Sequence, residues 1–231
     1  MAAMKHAGKA AQAARNMILW TLVALMITIA GGVLALVLGI FIKAAAVFLL
    51  CLWMIFAAFT LYFFRDPTPA VPDTPQAIVS PAHGKVDLID ETEELEIMGG
   101  PCRRVSIFLS VIDVHVQNAP IAGTVTLVKH TPGQFLNAMN TESATHNENV
   151  LVGFDSRERA GEKFAVRLIA GLIARRIIPW IAVNDAVDRG ERISLIQFGS
   201  RCDLYLPLSA QVQIKLGDRV KGGETIIARR G

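Results

Sequence analysis

The sequence predicts a mainly β protein: a barrel-sandwich-like domain behind an N-terminal helical membrane hairpin. Three observations predict it. Residues 17–64 form an apolar tract broken by one charge, Lys43. The stretch that follows carries four prolines in eleven residues, Arg65 to Pro75. Beyond it the chain breaks into short alternating runs separated by Gly, Pro and Asp, with little sign of long amphipathic helices, the pattern of an all-β sandwich or barrel.

The apolar tract accounts for much of the 52% hydrophobic composition of the 231 residues. About 20 apolar residues cross a bilayer as a helix, so the tract is long enough for two passes. The natural division is Met17 to Ile42 and Ala44 to Phe64, with Gly39 and Lys43 near the turn and Gly31-Gly32 free to weaken, kink or closely pack the first pass. Lys5, Lys9 and Arg15 precede the first pass and Arg65 follows the second, which places both ends, and the remainder of the chain, in the cytoplasm. A cleaved signal peptide is a poor fit, because the apolar stretch is too long and a second follows at once. Residues 1–16 are then a cytoplasmic N-terminus, 17–64 the hairpin, 65–76 an extended, semi-rigid linker, and 77–231 the β domain.

A net charge of only +3 gives no sign of a nucleic-acid partner, and the three cysteines, Cys51, Cys102 and Cys202, lack metal-type spacing. Reduced thiols on the cytoplasmic side fit them better than disulfides or zinc. Within the β domain two phrases repeat. Pro81-Ala82-His83-Gly84-Lys85-Val86 echoes Pro120 to Val125, and Asp185 to Ile193 echoes Asp218 to Ile226; in each, Gly permits a tight turn before a strand. These phrases resemble lipoyl and biotinyl domains, but the Lys at a hairpin tip beside Met that such carriers modify is missing. Residues 161–183 are β-branched-rich with a central Gly171 and read as two strands with a bend. Arg175 and Arg176 there suit either an anionic lipid surface or a solvated edge.

Two places can do chemistry. Val105 to Val116 alternates as one strand, which would put Asp113 and His115 on one face; a carboxylate beside an imidazole fixes its tautomer and suits proton transfer. Ile196 to Pro207 reads as a strand interrupted by Gly199-Ser200. Gly inside a strand marks a bulge or close backbone approach, and it leaves a following Ser hydroxyl free to reach back to the preceding carbonyl carbon.

Phe198-Gly199-Ser200-Arg201, ahead of an alternating strand ending in Leu206-Pro207, resembles the processing site of phosphatidylserine decarboxylase proenzymes of the short bacterial type. Phe63-Phe64-Arg65-Asp66-Pro67, Leu109-Ser110 with Asp113 and His115, Gly133 to Ala138, Asn147-Glu148, and Ile169 to Ile177 resemble the same family, so the likeness covers most of the chain from about Tyr62. The resemblance implies self-cleavage between Gly199 and Ser200 into a β chain, 1–199, and an α chain, 200–231. Ser200 then becomes a pyruvoyl group, the covalent cofactor, which forms a Schiff base with phosphatidylserine and drives its decarboxylation to phosphatidylethanolamine and CO2 without a metal. It further implies His115 as the proton donor with Asp113 beside it as a catalytic partner, a homodimer, and residence in the bacterial cytoplasmic membrane with the catalytic domain inside. One departure stands out. The family usually has Ser-Pro-Ala-Asp-Gly where this chain has Ser80-Pro81-Ala82-His83-Gly84, and His146 stands where short relatives often carry Asp. A carboxylate is ionised at neutral pH and an unperturbed imidazole mostly is not, so His83 is either a base toward Ser200 or the mark of a poorly maturing, lipid-binding relative.

Overall fold

The computed structural model describes residues 8–34, 40–134, 146–171, 176–197 and 199–231. They form two compact units, 8–66 and 67–231. The first holds helices α1 (Lys9–Leu34) and α2 (Ile40–Phe63). Both are long and apolar enough to cross a membrane, and large apolar side chains along them, such as Trp20, Ile27, Phe48 and Ile55, are exposed. The division differs from the sequence reading. Helix α1 reaches back to Lys9, and Lys43 lies inside the first turn of α2 rather than between the helices. The cause is helical continuity: Ala-rich residues 10–14 and 44–46 favour helix and carry it past the charges. Gly31 is passed without a break, and nothing lies near the space a Cβ there would fill.

The second unit is built from strands β1 (Ala77–Val79), β2 (Gly84–Glu94), β3 (Gly100–Leu109), β4 (Val116–Asn118), β5 (Gly123–Thr131), β6 (Asn149–Ser156) and β7 (Lys163–Ala170). They continue through β8 (Ile177–Pro179), β9 (Ala186–Val187), β10 (Arg192–Ile196), β11 (Ser200–Leu206), β12 (Gln211–Val212), β13 (Arg219–Val220) and β14 (Ile226–Arg229). The mainly β expectation holds. One antiparallel sheet has the order β13-β2-β3-β11-β7-β6-β5-β9, and two small sheets have the orders β1-β14-β12 and β4-β10-β8. A single core unites them: Val86, Ile107, Leu109, Phe154, Leu168 and Leu204 of the large sheet pack with Ile78 and Ile227 of one small sheet and Ile193 and Ile196 of the other.

Strand β11 lies at the centre of the large sheet, paired with β3 on one side and β7 on the other. All seven of its residues are buried. Cys202, Leu204 and Leu206 join the core, while Arg201, Asp203 and Tyr205 alternate onto the opposite face. The sequence repeats occupy matching places at the two edges of this sheet. Arg219 pairs with Lys85 where β13 meets β2, and Ala186 pairs with Thr124 where β9 meets β5.

Two expected strands are divided differently. The run Val105–Val116 stops at Leu109, because Asp113 ends it. The Asp113 carboxylate accepts from the Ser110 N–H at 2.9 Å and the Ser110 hydroxyl at 2.6 Å, closing a turn that competes with the ladder. The run Ile196–Pro207 is not one strand but the crossing between two sheets, with β10 on one side of Gly199 and β11 on the other. Residues 161–183 do form two strands, β7 and β8, with Leu172–Arg175 outside the described residues.

Candidate active site

Gly199 and Ser200 lie where the chain leaves one sheet for the other. Gly199 has φ +73°, a left-handed conformation that glycine adopts without strain. Space is not the reason for glycine here, since the nearest atom to an added Cβ would be Val111 Cγ1 at 3.7 Å. Ser200 begins β11 opposite Leu109 on β3 and Ala170 on β7. Its side chain is fully buried, and its Oγ has no hydrogen-bond partner among the described residues. An unpaired buried hydroxyl costs about 1–3 kcal/mol, so a fold that keeps one is keeping it for something other than stability.

His115 is the neighbouring imidazole. It is buried between the Ser110–Asp113 turn and β4. Its Nε2 accepts the Gly199 N–H at 3.1 Å, and its Nδ1 lies 2.9 Å from the Asp113 main-chain carbonyl. A carbonyl can only accept, so Nδ1 carries the proton and Nε2 the lone pair. Asp113 therefore orients the imidazole, but through its backbone. Its carboxylate holds the Ser110 turn and meets Arg219 at 3.1 Å. The physical reason is again the turn, which takes Asp113 off any strand face shared with His115.

His83 stands immediately before β2, and β3 lies between β2 and β11, so two strand spacings, about 10 Å, separate the backbones. Its ring borders Gly222, where an added Cβ would lie 3.0 Å from His83 Cδ2 and 2.6 Å from Asn118 Oδ1.

Gln117 and Ser194, which the sequence does not single out, support the site, as does Asn147 of the expected Asn147-Glu148 segment. The carbonyl of His115 accepts from Gln117 Nε2 at 2.7 Å and from the Ile196 N–H at 3.1 Å. Gln117 Oε1 in turn accepts from Ser194 Oγ at 2.7 Å, and both side chains are buried. Asn147, buried, donates its Nδ2 to the Ala170 carbonyl at 2.7 Å, one strand from Ser200; Phe135 to Ala138 of the loop expected beside it lie outside the described residues. No local pattern marks Gln117 or Ser194, because their partners come from distant strands.

Behind Ser200 the non-core face of β11 is charged. Arg201 is 1% exposed and forms a two-pronged pair with Asp87, with one contact at 3.1 Å. The bulge between Val86 and Leu88 gives β2 the extra residue that presents Asp87 there. Burial pushes the Asp87 carboxyl above its ordinary range, with Arg201 pulling against it. Burial likewise raises Asp203, opposed by Ser106 and by the guanidinium groups of Arg201, Arg104 and Arg167. The Cys202 thiol is pushed well up by burial and then by Asp203, so it is unreactive at neutral pH. Among the described residues no group of His, Cys, Asp and Glu is arranged to hold a metal ion.

Fold and site together define a class: a mainly β protein with membrane-length helices, in which a buried serine follows a left-handed glycine held by an imidazole. Comparison with known proteins gives that class its family. A family model described as phosphatidylserine decarboxylase matches residues 56–228. A phosphatidylserine decarboxylase proenzyme of Desulfotalea psychrophila is 45% identical over 178 residues, covering 77% of this chain and 82% of its own length. Proteins of the same name from Chlorobium chlorochromatii and Zymomonas mobilis are 44% and 42% identical, covering 80% and 84% of this chain and 85% and 83% of their own lengths. The chain belongs to the phosphatidylserine decarboxylase family.

Proposed function

We propose that this chain is a proenzyme that cuts itself between Gly199 and Ser200 and then decarboxylates phosphatidylserine to phosphatidylethanolamine at the cytoplasmic face of a bacterial inner membrane. The observation that carries the reading is the Ser200 Oγ, unpartnered among the described residues, directly after a left-handed glycine whose N–H is held by His115 Nε2.

Maturation needs a base for the hydroxyl and freedom at the carbonyl it attacks. The Asp113 carbonyl keeps the imidazole proton on Nδ1, which leaves the Nε2 lone pair facing this bond. Once Nε2 exchanges the Gly199 N–H for the hydroxyl, it takes the Ser200 proton as Oγ bonds to the Gly199 carbonyl carbon. Nε2 hands that proton to the Ser200 nitrogen as the C–N bond breaks, and an ester replaces the peptide. Loss of the Ser200 Cα proton then expels the Gly199 carboxylate and leaves dehydroalanine at position 200. Addition of one water and release of one ammonia give the pyruvoyl group.

The site fits that group, since a carbonyl at position 200 inherits a buried place with no hydrogen bond to displace. When formed, it supplies a carbonyl able to take up the electron pair left by departing CO2. His115 Nε2, protonated from solvent, would then give its proton to the carbon that lost the carboxylate. Pairing of β11 with β3 and β7 keeps residue 200 in register after the cut, although it then heads a separate chain.

A denaturing gel of purified full-length protein tests the reading. Chains of 199 and 32 residues are expected, the smaller without a free amine, with CO2 released from phosphatidylserine vesicles. Ser200→Ala should give one uncleaved band. His83→Asp should mature at least as fast as the parent, because a carboxylate is ionised at neutral pH where an unperturbed imidazole mostly is not. A single full-length band from the parent after long incubation would favour the poorly maturing relative.

A further inference from the structure

At the end of the large sheet where Ser200 lies, two exposed turns carry apolar tips. Val111 and Ile112, on the Ser110–Asp113 turn, are 38% and 55% exposed, and Leu216, on the turn before β13, is 67% exposed. Arg219 joins the turns by its ion pair with Asp113. Between Leu216 and strands β2 and β3 lies a cleft of about 470 Å³, floored by Phe108 and Val86 and edged by Lys85.

The charges are the informative part. Lys85 and Arg219 are directly opposed in the β2–β13 pair, and both are exposed. Like charges facing each other across strands are destabilising; Lys85 makes no ion pair among the described residues and is offset only at longer range by Asp87, which Arg201 already pairs. Lys215 adds a third exposed cation. Asp113 is spoken for by Arg219, and Asp218 closes its own turn by accepting the Lys215 N–H at 2.8 Å. Exposed apolar tips ringed by cations suit one partner, an anionic phospholipid surface, into which the side chains dip while the cations meet headgroup phosphates. The opposite sheet edge lacks this, having Thr124 and Ala186 where Lys85 and Arg219 stand.

We infer that the Val111–Ile112 turn, Leu216 and the Lys85–Arg219 pair form a membrane-docking face that sets the Gly199–Ser200 site against the lipid surface. It rests on the proposed function only in that the substrate is a lipid. The position is functional by contiguity, because Val111 Cγ1 is the atom nearest the space beside Gly199.

The test uses full-length Cys51→Ala protein in vesicles of phosphatidylglycerol and phosphatidylcholine, labelled with an environment-sensitive dye at Ile112→Cys, Leu216→Cys or, as control, Val183→Cys. Val183 is also exposed and apolar, at 48%, but lies by the opposite sheet edge. Doxyl-lipid quenching should be strong at 112 and 216 and weak at 183, and should fall with salt. Lys85→Glu should weaken docking by more than the roughly fivefold expected for each cation removed. Equal quenching at all three sites, or none at 112 and 216, would overturn the inference, the latter in favour of a protein partner. Gels of the same samples separate the two readings. Quenching without cleavage supports the docking face and counts against maturation; cleavage without quenching does the reverse.

Discussion

The two edges of the large sheet are near copies in backbone and unlike in chemistry. Each long edge strand begins after a Pro-x-x-Gly phrase, and each glycine lies against a facing carbonyl. An added Cβ would come within 2.2 Å of Phe108 O at Gly84 and 2.4 Å of Asp155 O at Gly123. Each strand bulges at the same point, Val86/Leu88 and Val125/Leu127. Each is flanked by a turn whose aspartate caps itself: Asp218 on the Lys215 N–H and Asp185 on the Ala182 N–H, both at 2.8 Å. Even the left-handed residue before that aspartate recurs, as Gly217 and Asn184. Yet only one edge holds Asp87 in its bulge, a cation pair beside it and the turn that leads to His115. Turn and bulge chemistry builds both edges; a few side chains make one of them a site.

The largest expected break comes at the bulges. Asp87→Asn removes the partner of a buried guanidinium, which costs about 3 kcal/mol, toward the low end for buried pairs because Asp87 is a quarter exposed. Thr126→Ala, at the matching bulge, removes an exposed side chain and should cost under about 0.5 kcal/mol. Thermal unfolding in detergent, in a Ser200→Ala background so that every chain is intact, measures both. Arg201→Met should cost at least as much as Asp87→Asn, since Arg201 also faces Asp203. Equal shifts from Asp87→Asn and Thr126→Ala would show that the charged bulge is no anchor.

The glycines come next, and they sharpen the comparison by separating stability from chemistry. Gly84→Ala and Gly123→Ala each force a methyl onto a backbone carbonyl, and each should destabilise by about 1–3 kcal/mol. Only Gly84→Ala shifts β2 against β3, whose last residue pairs with Ser200. It alone should slow self-cleavage at temperatures where both variants remain folded, read as band intensity against time. Equal slowing would mean that cleavage follows global stability rather than this edge.

The same contrast explains what could be read from the chain beforehand. Gly, Pro and Asp act locally, so the repeats, the mainly β class and the crowded start of β2 are visible as text, and the length of residues 17–64 announces two membrane-length helices. Ser200 was legible because glycine before it breaks an alternating run. What was hidden depends on distant partners. Alternation from Val105 to Val116 concealed the turn, although Ser110 and Asp113 at three-residue spacing were the available signal. That a carbonyl rather than a carboxylate meets His115 Nδ1 follows only from the turn. The hand-over from β10 to β11 at Gly199 depends on sheet pairing, and the support from Gln117 and Ser194 joins segments 77 residues apart.

The smallest expected effect on stability is at Lys85, and it tells most about why the edges diverged. Lys85→Thr copies the residue that Thr124 provides at the other edge and relieves the opposition to Arg219. Its stability should stay level or rise by a few tenths of a kcal/mol, as for relief of a like-charged cross-strand pair. Docking on anionic vesicles should nevertheless weaken roughly fivefold, and the salt dependence of phosphatidylserine turnover should flatten. A side chain kept where it repels its neighbour, and whose loss improves the fold while harming contact with lipid, is retained for the lipid. A loss of more than about 1 kcal/mol would instead give Lys85 a structural task, and the cation pair would cease to distinguish the two edges.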